Sequence, residues 1–365
     1  MSERSSTPID VAPAVRLAGV RRSFAGVHAL DGIDCAIEPA RLVALAGANG
    51  SGKSTMLRIV AGVIAPDAGT VDVFGATPRT SDAAFRTMTG YVGQDLALDG
   101  EITGVETLRL FYALRGLPHG ERTRRIAAIV EELELGSFVE RRVAGYSGGQ
   151  RQRLHLAIET MHAPALLLLD EPTSSLDPSG RAALWRRLVA WRDGGHTLLV
   201  VTHDLADVQA HCDRIVLLSA GRIVADDAPS ALVASHGRAR TTIELARIPH
   251  DPASLRDALE RAGGASGAGG GVRVEIHGAV ITITRSVPLH GPEPALDALR
   301  ALEIAVSRFE QHPPDLSSAF FELTGAVVAA DRDASDDSRV AGRSGRGSGT
   351  GGGRGSNRGG PRGAS

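Results

Sequence analysis

An α/β fold with a largely parallel sheet is what this sequence predicts, and three observations carry it. From Val15 to about Ala246, short apolar runs alternate with stretches of helical periodicity, the pattern of strands connected through helices. The runs Ala165–Leu169 and Thr197–Val201 are continuously apolar, as strands covered on both faces are. Between the apolar run Arg41–Ala46 and the helical stretch Lys53–Val63 lies a turn holding three glycines, Gly47-Ala-Asn-Gly-Ser-Gly, the punctuation of a tight strand-to-helix reversal.

Composition bounds the rest. The chain has 365 residues, 42% of them hydrophobic, enough for two domains and a sizeable core. A net charge of −2 gives no overall field toward nucleic acid or anionic lipid. Cys35 and Cys212 are the two cysteines, too few for a disulfide framework and suited to a reducing cytosol. Met1–Pro13 lacks the apolar core of a secretion signal, and no run approaches the 18 apolar residues of a membrane span.

In chain order, residues 1–14 read as a tail and 15–246 as the α/β core. Within it, Val105–Leu114 and Glu121–Leu135 read as helices, the second with Ile126, Ile129, Val130 and Leu133 on one face. They form a helical insertion over about 95–147. Pro178–Trp191 is a further helix, with Leu184, Leu188 and Trp191 at helical spacing. Residues 247–330 read as a small α+β unit. Its parts are a helix Pro252–Ala262, a flexible connector over 263–271, a hairpin of Val272–Ile276 with Val280–Thr284, a helix Pro294–Ser307 and a closing segment Leu316–Leu323. From Asp331 to Ser365, Gly, Arg and Ser dominate, a composition that predicts disorder. The six arginines of that tail from Ser338 on have no aromatic residue between them for stacking on bases.

The glycine turn continues into Lys53-Ser-Thr55 and so fits G-x-x-x-x-G-K-[ST]. Glycines at Gly47, Gly50 and Gly52 let the backbone amides of Gly47, Ala48, Asn49, Gly50, Ser51, Gly52 and Thr55 turn inward around a phosphate, at the positive end of a new helix. Lys53 is the one lysine beside 39 arginines; its slim point charge suits a slot that a guanidinium fork does not. Ser54 supplies a hydroxyl for Mg²⁺. The loop is expected to bind a nucleoside triphosphate. Further on, Ala165-Leu-Leu-Leu-Leu-Asp-Glu171 ends an apolar strand in two carboxylates. Adjacent strand residues point to opposite faces, so Asp170 is expected to hold Mg²⁺ through water while Glu171 acts as general base.

Tyr146-Ser-Gly-Gly-Gln150, 20 residues before the acidic pair, resembles the signature motif of the ABC-transporter ATPases, and the other motifs follow in that family's order. Gln94 in Tyr91-Val-Gly-Gln resembles the Q-loop, Ser174-Ser-Leu-Asp177 the D-loop, and His203 in Val201-Thr-His-Asp the switch histidine. Phe24 stands where the family keeps an aromatic ring against adenine. The resemblance covers residues 15–246. It implies ATP and Mg²⁺ as ligands, with Gln94 reaching the ion and the attacking water and His203 touching the γ-phosphate. Ser147, Gly148, Gly149 and Gln150 would face a γ-phosphate held by a second subunit, with Asp177 communicating across a head-to-tail dimer that sandwiches two ATP molecules. Tyr146 departs from the family's usual Leu, and Phe24 from its commoner Tyr.

Only 91 residues separate Thr55 from Ser147 and the chain carries one P-loop, unlike the soluble relatives that act on DNA or ribosomes. Phe321-Glu-Leu-Thr-Gly325 resembles the closing motif of the daunorubicin-resistance group. That resemblance implies an exporter ATPase on the cytoplasmic face of a membrane, working as a homodimer with a separate integral permease and with no nucleic acid. An import system or a soluble ABC ATPase are the alternatives.

Overall fold

A computed structural model describes residues 12–94, 98–262, 272–285 and 294–325. Up to Thr324 they form one unit; of the unit from Gly325 on, only Gly325 is described. Most of the N-terminal tail, the connector at 263–271 and the tail from Asp331 lie outside the described residues.

The central sheet has six strands in the order β5-β6-β7-β3-β8-β9, namely Thr89–Val92, Leu166–Asp170, Thr197–Val201, Leu42–Gly47, Arg214–Ser219 and Arg222–Asp227. All pairs are parallel except β8 with β9. The apolar runs are continuous because alternate residues serve two different cores. Leu166, Leu168, Leu199 and Val201 face one core, shared with Met56 and Leu57. Leu167, Leu169, Leu198 and Val200 face the other, shared with Leu154 and Trp185. One consequence positions the site: β3, β5, β6 and β7 end at the same edge, so the loops that follow them meet there.

An antiparallel sheet of β1 (Val15–Phe24), β2 (Val27–Ile37) and β4 (Ala68–Val73) covers the first core. Helix α1 (Lys53–Val60) stops short of the expected Val63, because Gly62 turns left-handed at φ +70° and runs against the backbone of Pro78 and Arg79. The remaining elements up to the insertion are the short helix α2 (Ala83–Met88) and the insertion's own helices. These are α3 (Gly104–Leu114), opened by a Thr103/Glu106 capping box, and α4 (Arg122–Glu132). The expected helix Glu121–Leu135 is thus trimmed at both ends, with Glu134 left-handed at φ +53°. Ile126, Ile129 and Leu133 are buried as expected. Helix α5 (Gly148–Thr160) returns the chain to β6, α6 (Pro178–Asp193) leads to β7, and α7 (Leu205–His211) leads to β8. Helix α8 (Pro229–His236) follows β9.

The second sheet system corrects three expectations. β10 (Ala239–Leu245) pairs with β12 (Val280–Arg285) and β13 (Val306–His312), and β12 pairs with β11 (Arg273–His277). With α9 (Pro252–Ala262) and α10 (Pro294–Ala301) the order is βαββαβ, a ferredoxin-like arrangement. The accessory unit therefore starts at Ala239, not at 247. Helix α10 ends at Ala301 instead of Ser307; Glu303 is left-handed at φ +54° and the chain enters β13. The helix over 316–324 does not close the accessory unit. Leu316 and Phe320 pack on Val208, Ile215, Leu217 and Leu232 of the α/β core, and the Leu316 amide donates to Gln209 Oε1 at 2.8 Å.

Arg115, capping α3, ties the insertion to the sheet. Its Nη2 donates to Glu159 Oε2 of α5 at 2.5 Å, and its Nη1 lies 3.3 Å from His162 Nε2. The same Glu159 oxygen accepts from the Tyr91 amide of β5. Burial, with Arg115 adding to it, holds the imidazoles of His155 and His162 down at about 4. Each stays neutral in the folded chain yet takes a proton near pH 6.5 once unfolded. Unfolding thus takes up protons between these values, and stability falls as pH drops from 6.5 toward 4. We expect up to about 1.4 kcal/mol lost per pH unit for each histidine. Urea midpoints measured from neutral pH downward check this, and His162→Gln should remove about half the slope.

Candidate active site

The loop after β3 is shaped by contacts that leave no room for side chains at two positions. A Cβ on Gly47 would collide with the Leu218 carbonyl and meet Ser51 Oγ at 2.5 Å; one on Gly52, at φ +106°, would collide with the Ala29 carbonyl. Both residues lie where only glycine fits. The loop then opens α1 with Lys53, a residue 7% exposed whose ammonium donates to the carbonyls of Gly47 at 2.9 Å and Ala48 at 2.8 Å. Burial lowers its pKa, and the carboxylates of Glu171 and Asp170 pull it back up. Ser51 Oγ is buried without a hydrogen-bond partner, a polar atom aimed into the loop and left for a ligand.

Asp170, 1% exposed at the end of β6, accepts from Ser54 Oγ at 3.1 Å through Oδ1. Its Oδ2 is buried and unpartnered. Burial raises the carboxyl, while Ser54, Arg58 and Lys53 counter it. A hydroxyl and a carboxylate with a spare buried oxygen form an all-oxygen donor set, which fits Mg²⁺.

Glu171 and Asp170 do diverge, though not by the pleat of a strand. β6 ends at Asp170, and Glu171 adopts a left-handed φ of +50°, a conformation that costs of order 1 kcal/mol for a non-glycine residue. Its amide donates to the Val201 carbonyl of the neighbouring strand, and its own carbonyl accepts from the amide and hydroxyl of Ser174. The turn swings the Glu171 carboxylate out of the strand to face His203, Nδ1 to Oε1 3.8 Å. His203 lies two residues beyond β7 and is 69% exposed. Gln94 is exposed two residues past β5 at the same sheet edge.

Phe24 ends β1 in the hairpin to β2, and Ala29 of β2 abuts Gly52. The ring is 46% exposed, with the Arg22 guanidinium 4.8 Å from its centroid. Phe24 thus offers an open aromatic surface on the strand pair beside the phosphate loop.

The signature residues gather elsewhere. Ser147 caps α5, accepting from the Gln150 amide, and the Gln150 side chain accepts from the Ser147 amide. Gln150 therefore shapes the helix start. Asp177 caps α6 through the Gly180 amide at 2.7 Å. Ser147, Gly148, Gly149, Ser175, Leu176 and Asp177 line a cavity of about 470 Å³ to which no described residue of 47–55 contributes. Sequence reasoning did not find what fixes Tyr146. Its hydroxyl donates to the Phe138 carbonyl at 2.9 Å, and it fills the space a Cβ on Gly104 would need. The signal was a tyrosine in place of leucine paired with a glycine opening α3.

A family profile described as ABC transporter matches residues 30–174. The chain is 33% identical to Nod factor export ATP-binding protein I of Paraburkholderia xenovorans, over 86% of this chain and 97% of that one. It is 30% identical to the daunorubicin/doxorubicin resistance ATP-binding protein of Streptomyces peucetius, over 90% and 98%. Among solved structures, an ATP-binding subunit of an ABC transporter superposes with TM-score 0.56 at 28% identity, covering 60% of this chain and 91% of the other. An ATP-binding cassette in a dimeric post-hydrolysis state with ADP and Pi gives 0.54 at 27%, covering 59% and 98%.

On the expectation that this ring packs against adenine, truncating Phe24 to Ala should weaken ATP binding by about 1–2 kcal/mol, roughly five- to thirtyfold. Calorimetric titration reads the change directly.

Proposed function

This chain belongs to the ABC transporter ATP-binding family, and on that premise we propose that it is the ATP-hydrolysing subunit of a multisubunit exporter of the drug-resistance type. One observation carries the exporter reading. The likeness to the two export and resistance proteins runs over 86–90% of this chain, whereas cassettes alone account for about 60%. The accessory unit is therefore shared with them, not only the ATPase core.

In this reading Ser51, Lys53 and the backbone of 47–55 hold the triphosphate, with Phe24 against the base. Ser54 and Asp170 hold Mg²⁺, which screens phosphate charge when bound. Glu171 takes a proton from the water that attacks the γ-phosphorus, and the bond to the bridging oxygen breaks to release ADP. His203, beside Glu171, contacts the γ-phosphate, and Gln94 reports the state of the site to the insertion. Ser147, Gly148 and Gly149, together with Asp177, complete the site of a second copy. The separation of their cavity from residues 47–55 supports such a two-copy arrangement.

No described helix is long and apolar enough to cross a membrane, and the reading places the substrate path in a separate permease at whose cytoplasmic face this chain sits. Leu110 and Leu114, 47% and 64% exposed one turn apart on α3, support docking through the insertion.

Glu171→Gln should slow turnover by about 10²–10⁴-fold while keeping ATP bound. Pulled down with Mg-ATP from solubilised native membranes, this variant should bring a polytopic permease at equal stoichiometry. Wild-type turnover would remove Glu171 as the base, and ribosomal or nucleic-acid partners alone would contradict the transporter reading.

A further inference from the structure

The accessory sheet spends its two faces differently. Ile243, Leu245, Val274, Ile281 and Ile283 turn toward α9 and α10 and form the unit's core with Leu255 and Leu299. The opposite face carries polar residues in register. Across four strands, His312 pairs with Arg240, Arg240 with Thr284, and Thr284 with Arg273. Paired residues share a face, and neighbouring strands lie about 4.8 Å apart. The two arginines thus flank the Thr284 hydroxyl from either side, about 10 Å apart at the backbone.

Like charges on one row of a sheet are unfavourable unless something neutralises them. Among the described residues, neither Arg240 nor Arg273 has a carboxylate within ion-pair distance; the Glu322 carboxylate is paired with Arg238 at 2.6 Å and feels the Arg273 charge from farther off, and His312 lies 3.8 Å from Glu310. Glu275, one row away opposite Thr282, lies beside the arginine row. Over this row sits a groove of about 440 Å³, walled on its far side by Ser318, Phe321 and Glu322 of the helix over 316–324. Phe321 is 66% exposed, a large apolar ring held at the rim of a cationic cleft.

We propose that this groove is a binding site for a small amphipathic anion. Its acidic head, a phosphate or a carboxylate, sits between the guanidinium groups of Arg240 and Arg273 and takes a hydrogen bond from Thr284; its aromatic or apolar body lies against Phe321 and Val272. Arginine forks bind both kinds of oxyanion bidentately. The site is separate from the nucleotide loop and stands whether or not the chain drives export. The helix that walls it packs its other side, through Leu316, on Val208 of α7, the helix that begins two residues after His203.

The test uses the full chain with saturating Mg-ADP on the nucleotide loop, titrated with 1-naphthyl phosphate and, separately, 1-naphthoate, reading probe fluorescence. At least one probe should bind saturably; which one binds tighter identifies the head group. Arg240→Gln/Arg273→Gln should weaken it about tenfold or more and Phe321→Ala by a few-fold. Hydrogen exchange should slow over residues 238–242 and 316–324 when the probe is bound. Absence of saturable binding to either probe, equal affinity in the arginine variant, or protection confined to other segments would overturn the proposal.

Discussion

A single buried ammonium sets the terms for the rest of the site. Lys53 is 7% exposed in a chain whose other 39 basic residues are arginines. Withdrawing a charge from water is costly unless hydrogen bonds and counter-charge replace the solvent. Here the carbonyls of Gly47 and Ala48 supply the first, and Asp170 with Glu171 the second. That arrangement requires the loop to curl back on itself, which the contacts at Gly47 and Gly52 permit only to glycine. It also requires β6 to deliver its carboxylates beside β3, which the parallel order β6-β7-β3 does by ending the strands at one edge. Ser51 Oγ and Asp170 Oδ2, buried without partners, are what the same geometry leaves open to phosphate and to a hard cation.

The sequence disclosed those parts of the fold whose cause is local or periodic. Strands β6 and β7 were legible because both faces are buried, and the phosphate loop because its spacing has a steric reason. What escaped it depends on distant partners. Ala239–Leu245 looks like the end of the core until its pairing with β12 and β13 is known. Val306–His312, with Arg308 and Glu310 interleaved, lacks the apolar run of a strand and becomes one because β10 offers an edge. Leu316–Leu323 has the pattern of a closing helix, but the surface it closes is the ATPase core. At the site, the sequence separated the roles of Asp170 and Glu171 and gave the wrong cause: a left-handed Glu171 turns the second carboxylate away, not the strand's pleat. The Gln150 side chain also accepts from the Ser147 amide and shapes the helix start.

Two connections join the ATPase core to its additions, and both run close to the chemistry. The buried Arg115–Glu159 pair links the end of α3 to the Tyr91 amide, three residues before Gln94. Separating the insertion from the sheet would leave Glu159 buried without its partner, which is strongly unfavourable, so the pair holds the insertion to the sheet edge. On the other side, the helix over 316–324 leans on α7, whose cap Asp204 follows His203 and is ion-paired to Arg181. The accessory unit is thereby held against the element that positions the histidine.

The most direct test of this account is ATP affinity, by calorimetric titration, in Lys53→Ala and Lys53→Arg beside the wild-type chain. Loss of the buried ammonium should cost about 3 kcal/mol, on the order of 100-fold. The arginine variant should lose nearly as much, because the slot between the Gly47 and Ala48 carbonyls admits a point charge and not a fork. Wild-type affinity in either variant would contradict the claim that this one cation organises the site.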